Sequence, residues 1–224
     1  MSCLEESRIP PPRLVVMLNG QPPRRELLES VVAGAEVLIG ADAGAMRLRE
    51  AGLRVDYVVG DFDSVPEDLL RSLPAESVVH DPGQDDTDLE KALRLAVARW
   101  QQPDIVVLGT TGDRIDHVLG NICGAVRYTD GAFIRFVEDH SITYFAHRQL
   151  QFSAPVGATV SLLPLGEVEG VRTEGLRWAL HGETLSIGTR GVSNVVERSP
   201  VRIEWQCGHL VVVRLLEAGE LFEW

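Results

Sequence analysis

Short unbroken apolar runs that alternate with helix-period segments constrain this chain more than any other feature. Residues 14–18 form such a run and lead into the turn Asn19-Gly20. Residues 24–33 then carry Leu27, Leu28, Val31 and Val32 at helical spacing. The run 37–40 is followed by a helix-like 43–51, and the run 55–59 by a short helix opening at Pro66. Residues 77–80 precede the strongest amphipathic segment, 88–100, with Leu89, Ala92, Leu93, Ala96, Val97 and Trp100 in phase. A run at 105–108, a helix over 116–128 and a sixth run at 132–137 complete the series. A strand apolar on both faces has to be covered on both faces. The alternation therefore predicts an α/β region, a mostly parallel sheet flanked by helices.

The pattern changes beyond about residue 140. From Thr143 onward no segment has convincing helical spacing, and β-rich runs at 159–163, 201–205 and 210–215 are separated by glycine-containing turns. This predicts a smaller all-β domain, sandwich-like or a partial barrel. The expected division is 13–147 for the α/β domain and 148–224 for the all-β domain, after a loose polar lead-in that ends in Pro10-Pro11-Pro12. The lead-in has no basic stretch followed by an apolar one, so no signal peptide is expected. No apolar run approaches the ~18 residues of a membrane span. Cys3, Cys123 and Cys207 are odd in number and far apart, which points to a reduced, cytoplasmic setting rather than a disulfide framework.

Charge narrows the partner. Lys and Arg number 21 against 33 Asp and Glu, a net of −12. That argues against a nucleic-acid groove, which needs surplus cations to neutralise phosphates. It does not argue against a nucleotide, whose phosphates can be held through a metal that wants carboxylates. All of the aspartates lie before residue 148, whereas Glu is spread over both parts. Short carboxylates suit caps, turns and metals.

In an open parallel sheet, ligands bind beyond the carboxyl ends of the strands. Four successive predicted strand ends deliver aspartates to that edge: Asp42; Asp61 and Asp63; Asp85, Asp86 and Asp88; Asp113 and Asp116. Carboxylates crowded at one edge repel unless a cation sits among them, and hard oxygen ligands suit Mg²⁺. The glycine-rich stretch 109–112 lets backbone approach a phosphate. Helix N-termini near 43, 88 and 116 face the same crevice. Arg114 can bind phosphate oxygens bidentately, and Lys91 lies one turn after Asp88 on the same helix face. The pattern suggests Mg-nucleotide chemistry without a P-loop or a dinucleotide fingerprint, neither of which occurs. Each residue also has a plainer reading. Asp42, Asp116 and either Thr87 or Asp88 can be helix caps, Asp63 can serve a turn, Asp86 and Lys91 can be solvated, and His117 can be a helix-start residue without a role.

At these residues the chain resembles the thiamine pyrophosphokinase (thiamine diphosphokinase) family. The motifs stand in family order: Gly40-Ala41-Asp42-Ala43-Gly44-Ala45; Val55-Asp56 with Gly60-Asp61-Phe62-Asp63-Ser64; Gln84-Asp85-Asp86-Thr87-Asp88-Leu89-Glu90-Lys91-Ala92-Leu93; and Gly112-Asp113-Arg114-Ile115-Asp116-His117 through Asn121. In the β-rich part, 161–165, 173–180 and Gly191-Val192-Ser193-Asn194 also resemble the family. Ala43 and Asp113 depart from it, each standing where a glycine is usual. The resemblance implies pyrophosphoryl transfer from ATP to the hydroxyl of thiamine, giving thiamine diphosphate and AMP. It implies Mg²⁺ on Asp61, Asp63, Asp85 and Asp88, with Asp61, Asp63, Asp88, Asp116 and Arg114 catalytic. ATP would meet Asp42, Gly44, Lys91, Gly112, Arg114, Asp116 and His117, and thiamine would meet Gln84, Trp178, Ser193 and Asn194. It also implies a homodimer with active sites at the interface. The alternatives are a pyrophosphokinase for another hydroxymethyl heterocycle of pterin type and a non-catalytic thiamine-binding sensor.

Overall fold

The computed structural model describes residues 11–112 and 114–224. Six strands form a parallel sheet: β1 (Arg13–Met17), β2 (Val37–Ala41), β3 (Tyr57–Gly60), β4 (Val78–His80), β5 (Asp104–Leu108) and β6 (Phe133–Glu138). Their order is β4-β3-β2-β1-β5-β6, so the chain reverses direction across the sheet between β1 and β5. The helices are α1 (Arg25–Ala33), α2 (Gly44–Glu50), α3 (Glu67–Ser72), α4 (Asp88–Arg99) and α5 (Ile115–Ala125). None is long and apolar enough to cross a membrane.

The unbroken apolar strands follow from cover on two faces. In β1, Val15 and Met17 pack with Leu27, Leu28 and Val31 of α1, while Leu14 and Val16 pack on the other face with Leu89, Ala92, Leu93 and Ala96 of α4. Each fully buried aliphatic side chain contributes about 1.5–3 kcal/mol. Helix α4 is fixed at its start by a capping box. Thr87 Oγ1 accepts from the Glu90 amide at 3.3 Å, and the Glu90 carboxylate accepts from the Thr87 amide. Thr87, not Asp88, is therefore the cap, and Asp88 is the first helical residue with its side chain left over.

After β6 the sheet turns antiparallel. β7 (Ser141–Phe145) pairs with β6 and with β13 (Cys207–Leu215), which pairs in turn with β9 (Thr159–Glu174). β12 (Val201–Glu204) and β8 (Gln149–Phe152) follow β9 at the far edge; β10 (His181–Leu185) and β11 (Asn194–Val195) pair with other parts of β9. β9 has 16 residues where sequence predicted a short run at 159–163. It continues through Pro164, Gly166 and Gly170, and the two glycines take positive φ of 98° and 68°. The strand bends there and passes from pairing with β13 to pairing with β10 and β12. The β-rich part is strand-rich as expected, and no helix occurs among its residues. Two buried arginines form ion pairs: Arg135 on β6 with Asp104 on the neighbouring β5, and Arg214 on β13 with Glu220 of the C-terminal segment.

Candidate active site

The loops after β1 and β5 close against each other at the point where the strand order reverses. Leu18 N–H donates to the Leu108 carbonyl at 2.9 Å, Gly20 to Gly109 at 3.1 Å, and Gln21 to Thr111 at 2.9 Å. Gly20 is required for this approach, because a Cβ there would lie 2.2 Å from the Gly109 oxygen. A cavity of about 890 Å³ opens over the closed pair. One wall is acidic and polar: Asp61, Gln84, Asp86 and Asp88. The other is the 109–112 loop with Arg114 and His117, and Lys91 and Arg47 reach in between.

The acidic wall is electrostatically unsatisfied. Asp88 is half-buried at the start of α4, and burial pushes its carboxyl up, helped by the negative charges of Asp42 and then Asp61. Lys91 and His117 act in the opposite direction. Asp42 sits at the end of β2 with φ 45°, and its Oδ1 is buried with no hydrogen-bond partner among the described residues. Asp61 receives the Asp63 amide at 3.2 Å and the Gln84 side-chain amide at 3.5 Å. Lys91 is 3% exposed, lines the cavity and is not the solvated residue that a surface helix would give.

Several predicted residues lie elsewhere. Asp63 and Asp85 are exposed and do not line the cavity. Asp63 is turned out by the tight turn in which its amide bonds to Asp61. Asp42 is behind the lining, against Asp88. Asp116 is exposed at the start of α5 and is engaged by Arg114, whose Nε donates to it at 2.9 Å. That guanidinium holds the Asp116 carboxyl well below the usual carboxylate range. Arg114 is thus on the cavity rim but paired. Gly44 makes no wall; its bare Cα lets α2 approach β1, since a Cβ would sit 1.9 Å from the Met17 oxygen. Gly112 lines the cavity with open space around it. Asp86 is half-buried and ion-paired, not a free surface carboxylate: Arg94 bridges it to Asp81. Ala43 precedes α2 in helical conformation. Asp113 and Cys3 lie outside the described residues.

Trp178, Ser193 and Asn194 do not line this cavity, whereas Gln84, grouped with them by sequence, does. Trp178 is 58% exposed, with the Arg177 guanidinium 5.7 Å from its ring centre. Asn194 is buried, and its amide is spent on backbone: Oδ1 accepts from Trp178 N–H at 3.1 Å and Nδ2 donates to the Trp178 carbonyl at 2.8 Å. Asn194 therefore orients Trp178 rather than offering free polar atoms. Ser193 is exposed at φ 60°, with its amide on Ser161 Oγ.

Sequence reasoning passed over Arg47 and Glu138, and it quoted Asn121 within a motif without giving it a role. Asn121 Nδ2 donates to the Thr110 carbonyl, and Glu138, at the end of β6, accepts from Thr110 and Thr111. Reading the residue after the sixth apolar run as the other strand ends were read finds Glu138.

Two family models match the chain. One, "Thiamin pyrophosphokinase, catalytic domain", matches residues 28–134; the other, "Thiamin pyrophosphokinase, vitamin B1 binding domain", matches residues 147–210. Thiamine pyrophosphokinase 1 of Oryza sativa subsp. japonica is 32% identical over 183 residues, 75% of this chain and 68% of that protein. Thiamine pyrophosphokinase of Bacillus subtilis is 41% identical over 88 residues, 38% of this chain and 40% of that protein. Among solved structures, thiamin pyrophosphokinase from Geobacillus thermodenitrificans superposes with a TM-score of 0.75 at 26% identity, covering 92% of this chain and 99% of that one. The Bacillus subtilis structure gives 0.74 at 23%, a likeness of fold, covering 91% and 98%.

Proposed function

The chain belongs to the thiamin pyrophosphokinase family, and from that premise we propose how its site transfers the pyrophosphoryl group of ATP to the hydroxyl of thiamine. The observation that carries the reading is one cavity with a carboxylate wall and a glycine-loop wall at the strand-order reversal. The thiamine oxygen bonds to the β-phosphorus, the bond from that phosphorus to the α–β bridging oxygen breaks, and AMP departs with that oxygen. Charge in such a step spreads over phosphoryl oxygens, so positioning and electrostatics supply most of the catalysis. The 109–112 loop, Lys91, Arg114 and His117 hold the phosphates, and one carboxylate of the acidic wall accepts the hydroxyl proton.

Mg²⁺ fits the acidic wall. The buried, partnerless Asp42 oxygen and the raised Asp88 carboxyl are the marks of hard ligands crowded without a cation. Among the described residues no three His, Cys, Asp or Glu form a preformed cage. That suits an ion held by one or two carboxylates and by substrate phosphates. Asp61 and Asp88 would hold it, with Asp63 and Asp85 at the rim; when bound it neutralises phosphate charge.

Trp178 offers a flat face to the thiamine pyrimidine ring, with Ser193 beside it. These residues do not line the cavity of their own chain. Exposed apolar side chains stand on both parts, Ile115 and Leu119 on α5 and Ile187 and Val192 in the β-rich part. Both facts support a homodimer in which one protomer brings thiamine to its partner's nucleotide. Cys123 and Cys207 are free thiols, which fits a cytoplasmic setting. The test is to incubate the protein with Mg-ATP and thiamine and separate the nucleotides. AMP is expected; ADP, or no turnover, refutes the reading. Sedimentation equilibrium tests the dimer.

A further inference from the structure

We infer that Glu138 is a positioning residue that sets the shape of the 109–112 loop for the nucleotide phosphates, an inference that rests on the pyrophosphokinase reading of this cavity. Glu138 ends β6, the strand next to β5. Its carboxylate reaches under the loop that follows β5 and accepts three hydrogen bonds from two consecutive residues. Oε1 takes the Thr110 amide at 3.0 Å and the Thr110 hydroxyl, and Oε2 takes the Thr111 hydroxyl at 2.9 Å. Thr110 is 5% exposed, so its donors have no alternative in water.

Three carbonyls of the loop are spoken for on its remaining sides. The carbonyls of Gly109 and Thr111 accept from the Gly20 and Gln21 amides, and the Thr110 carbonyl accepts from Asn121. Carbonyl oxygens repel phosphate. With these three turned into hydrogen bonds, the carbonyls of residues 109–111 are held by protein donors and not left free for the cavity. Glu138 supplies the one side of this frame that the β1 loop and α5 do not reach. Burial pushes the Glu138 carboxyl up while its bonds to Thr110 and Thr111 pull it down; in the charged form it is the stronger acceptor, because charge-assisted bonds are about twice as strong as neutral ones. The carboxylate itself does not line the cavity. A negative charge placed for contact with phosphate would be out of place there; a negative charge bound to three donors beneath the loop is not.

The consequence is selective. Glu138 acts on the loop after β5, at the nucleotide end, and shares no hydrogen bond with Trp178, Ser193 or Asn194. Glu138→Ala should therefore weaken Mg-ATP at least ~10-fold, in KM and in a direct calorimetric titration of Mg-ATP, because a displacement of about 1 Å in a positioning element costs up to ~100-fold. KM for thiamine should stay within about twofold. Glu138→Gln keeps an acceptor for Thr110 and can pair its amide with the Thr111 hydroxyl, so it should restore Mg-ATP affinity to within about threefold. Thr111→Val removes one bond of the three and should fall between wild type and Glu138→Ala. Melting of each variant is followed alongside, and comparisons are made where all are folded.

Unchanged Mg-ATP affinity in Glu138→Ala overturns the inference. So does a parallel loss for ATP and thiamine that tracks the loss of folded protein, which would make Glu138 a stability residue. Failure of Glu138→Gln to improve on Glu138→Ala overturns it as well. Should wild type release no AMP while Glu138→Ala still loses Mg-ATP binding, the activity reading falls and the loop assignment stands.

Discussion

Gly20→Ala is the sharpest single perturbation of the site. The added methyl would lie 2.2 Å from the Gly109 oxygen and 2.3 Å from the Thr111 oxygen, where ordinary contact begins near 3.4 Å. The two loops have to part by about 1 Å. Gly20 does not have positive φ, so the backbone itself tolerates alanine and the whole cost comes from contact. Forcing a methyl into packed structure costs about 1–3 kcal/mol. The bonds from Gly20 to Gly109 and from Gln21 to Thr111, at 3.1 and 2.9 Å, are strained or lost, at about 1 kcal/mol each. The total of roughly 3–5 kcal/mol lowers the melting temperature on the order of 10 °C for a chain of this length. The 109–112 loop moves with it, so on the proposed function kcat/KM for ATP should fall about 100-fold. Gly120→Ala is the internal contrast. It lies inside α5, and a methyl added there would meet nothing within 4 Å, so it should stabilise by about 0.5–1 kcal/mol. Differential scanning fluorimetry and initial rates on both variants decide. A Gly20→Ala protein that melts within about 2 °C of wild type with an unchanged KM for ATP refutes the reasoning.

Asp88→Asn should abolish most turnover, by at least ~100-fold on the usual scale of lost positioning, yet stabilise the metal-free protein. Burial, Asp42 and Asp61 raise the Asp88 carboxyl, so the fold prefers its neutral form; that preference is fully satisfied below the unfolded value of about 3.9 and is lost as pH rises through the raised one. The variant should melt above wild type at pH 7 in metal-free buffer, and the gap should close toward pH 4; a gap that ignores pH refutes the crowding account. Trp178→Ala should raise KM for thiamine about 10-fold, the scale of a lost aromatic face, with little change in melting, because the ring is exposed. Asn194→Ala should raise the same KM and also lower stability by about 1–3 kcal/mol, since the Trp178 and Val195 amides lose their acceptor. If Trp178→Ala loses stability instead and thiamine is unaffected, the ring is a packing residue.

The parallel half of the fold was legible because its strands are buried on both faces, which writes an unbroken apolar run. The β-rich half was less so. Residues 149–152 alternate exposed and buried, and only Leu150 and Phe152 speak for the strand. The sequence shows only the run 159–163 followed by a glycine-containing turn, whereas the folded strand β9 continues to Glu174 with Gly166 and Gly170 at positive φ within it. At the site, sequence could say which residues reach the edge but not where their side chains are spent. Asn194 looks like a free amide until the Trp178 backbone is placed beside it. Glu138 and Thr110 are 28 positions apart, and only the β5–β6 pairing brings them together.

The acidic excess itself divides once side chains are placed. Between residues 56 and 88 the chain holds ten carboxylates and one cation, Arg71. Arginines from inside and outside that stretch pair with five of the ten. Arg54 meets Asp56, Arg49 meets Asp68, Arg71 meets Glu67, and Arg94 meets both Asp81 and Asp86. Exposed pairs of this kind stabilise little, but they decide where charge is neutralised. The aspartates left without an arginine among the described residues are Asp61, Asp63, Asp85 and Asp88, all at strand ends. Self-repulsion confined to that edge is relieved by one divalent cation more effectively than by screening, because the carboxylates that face the cavity are partly withdrawn from water. Mg²⁺ should therefore raise the melting temperature of wild type at salt concentrations where added NaCl does not, and should do so far less in Asp88→Asn. Equal responses to Mg²⁺ in the two proteins would place the cation elsewhere.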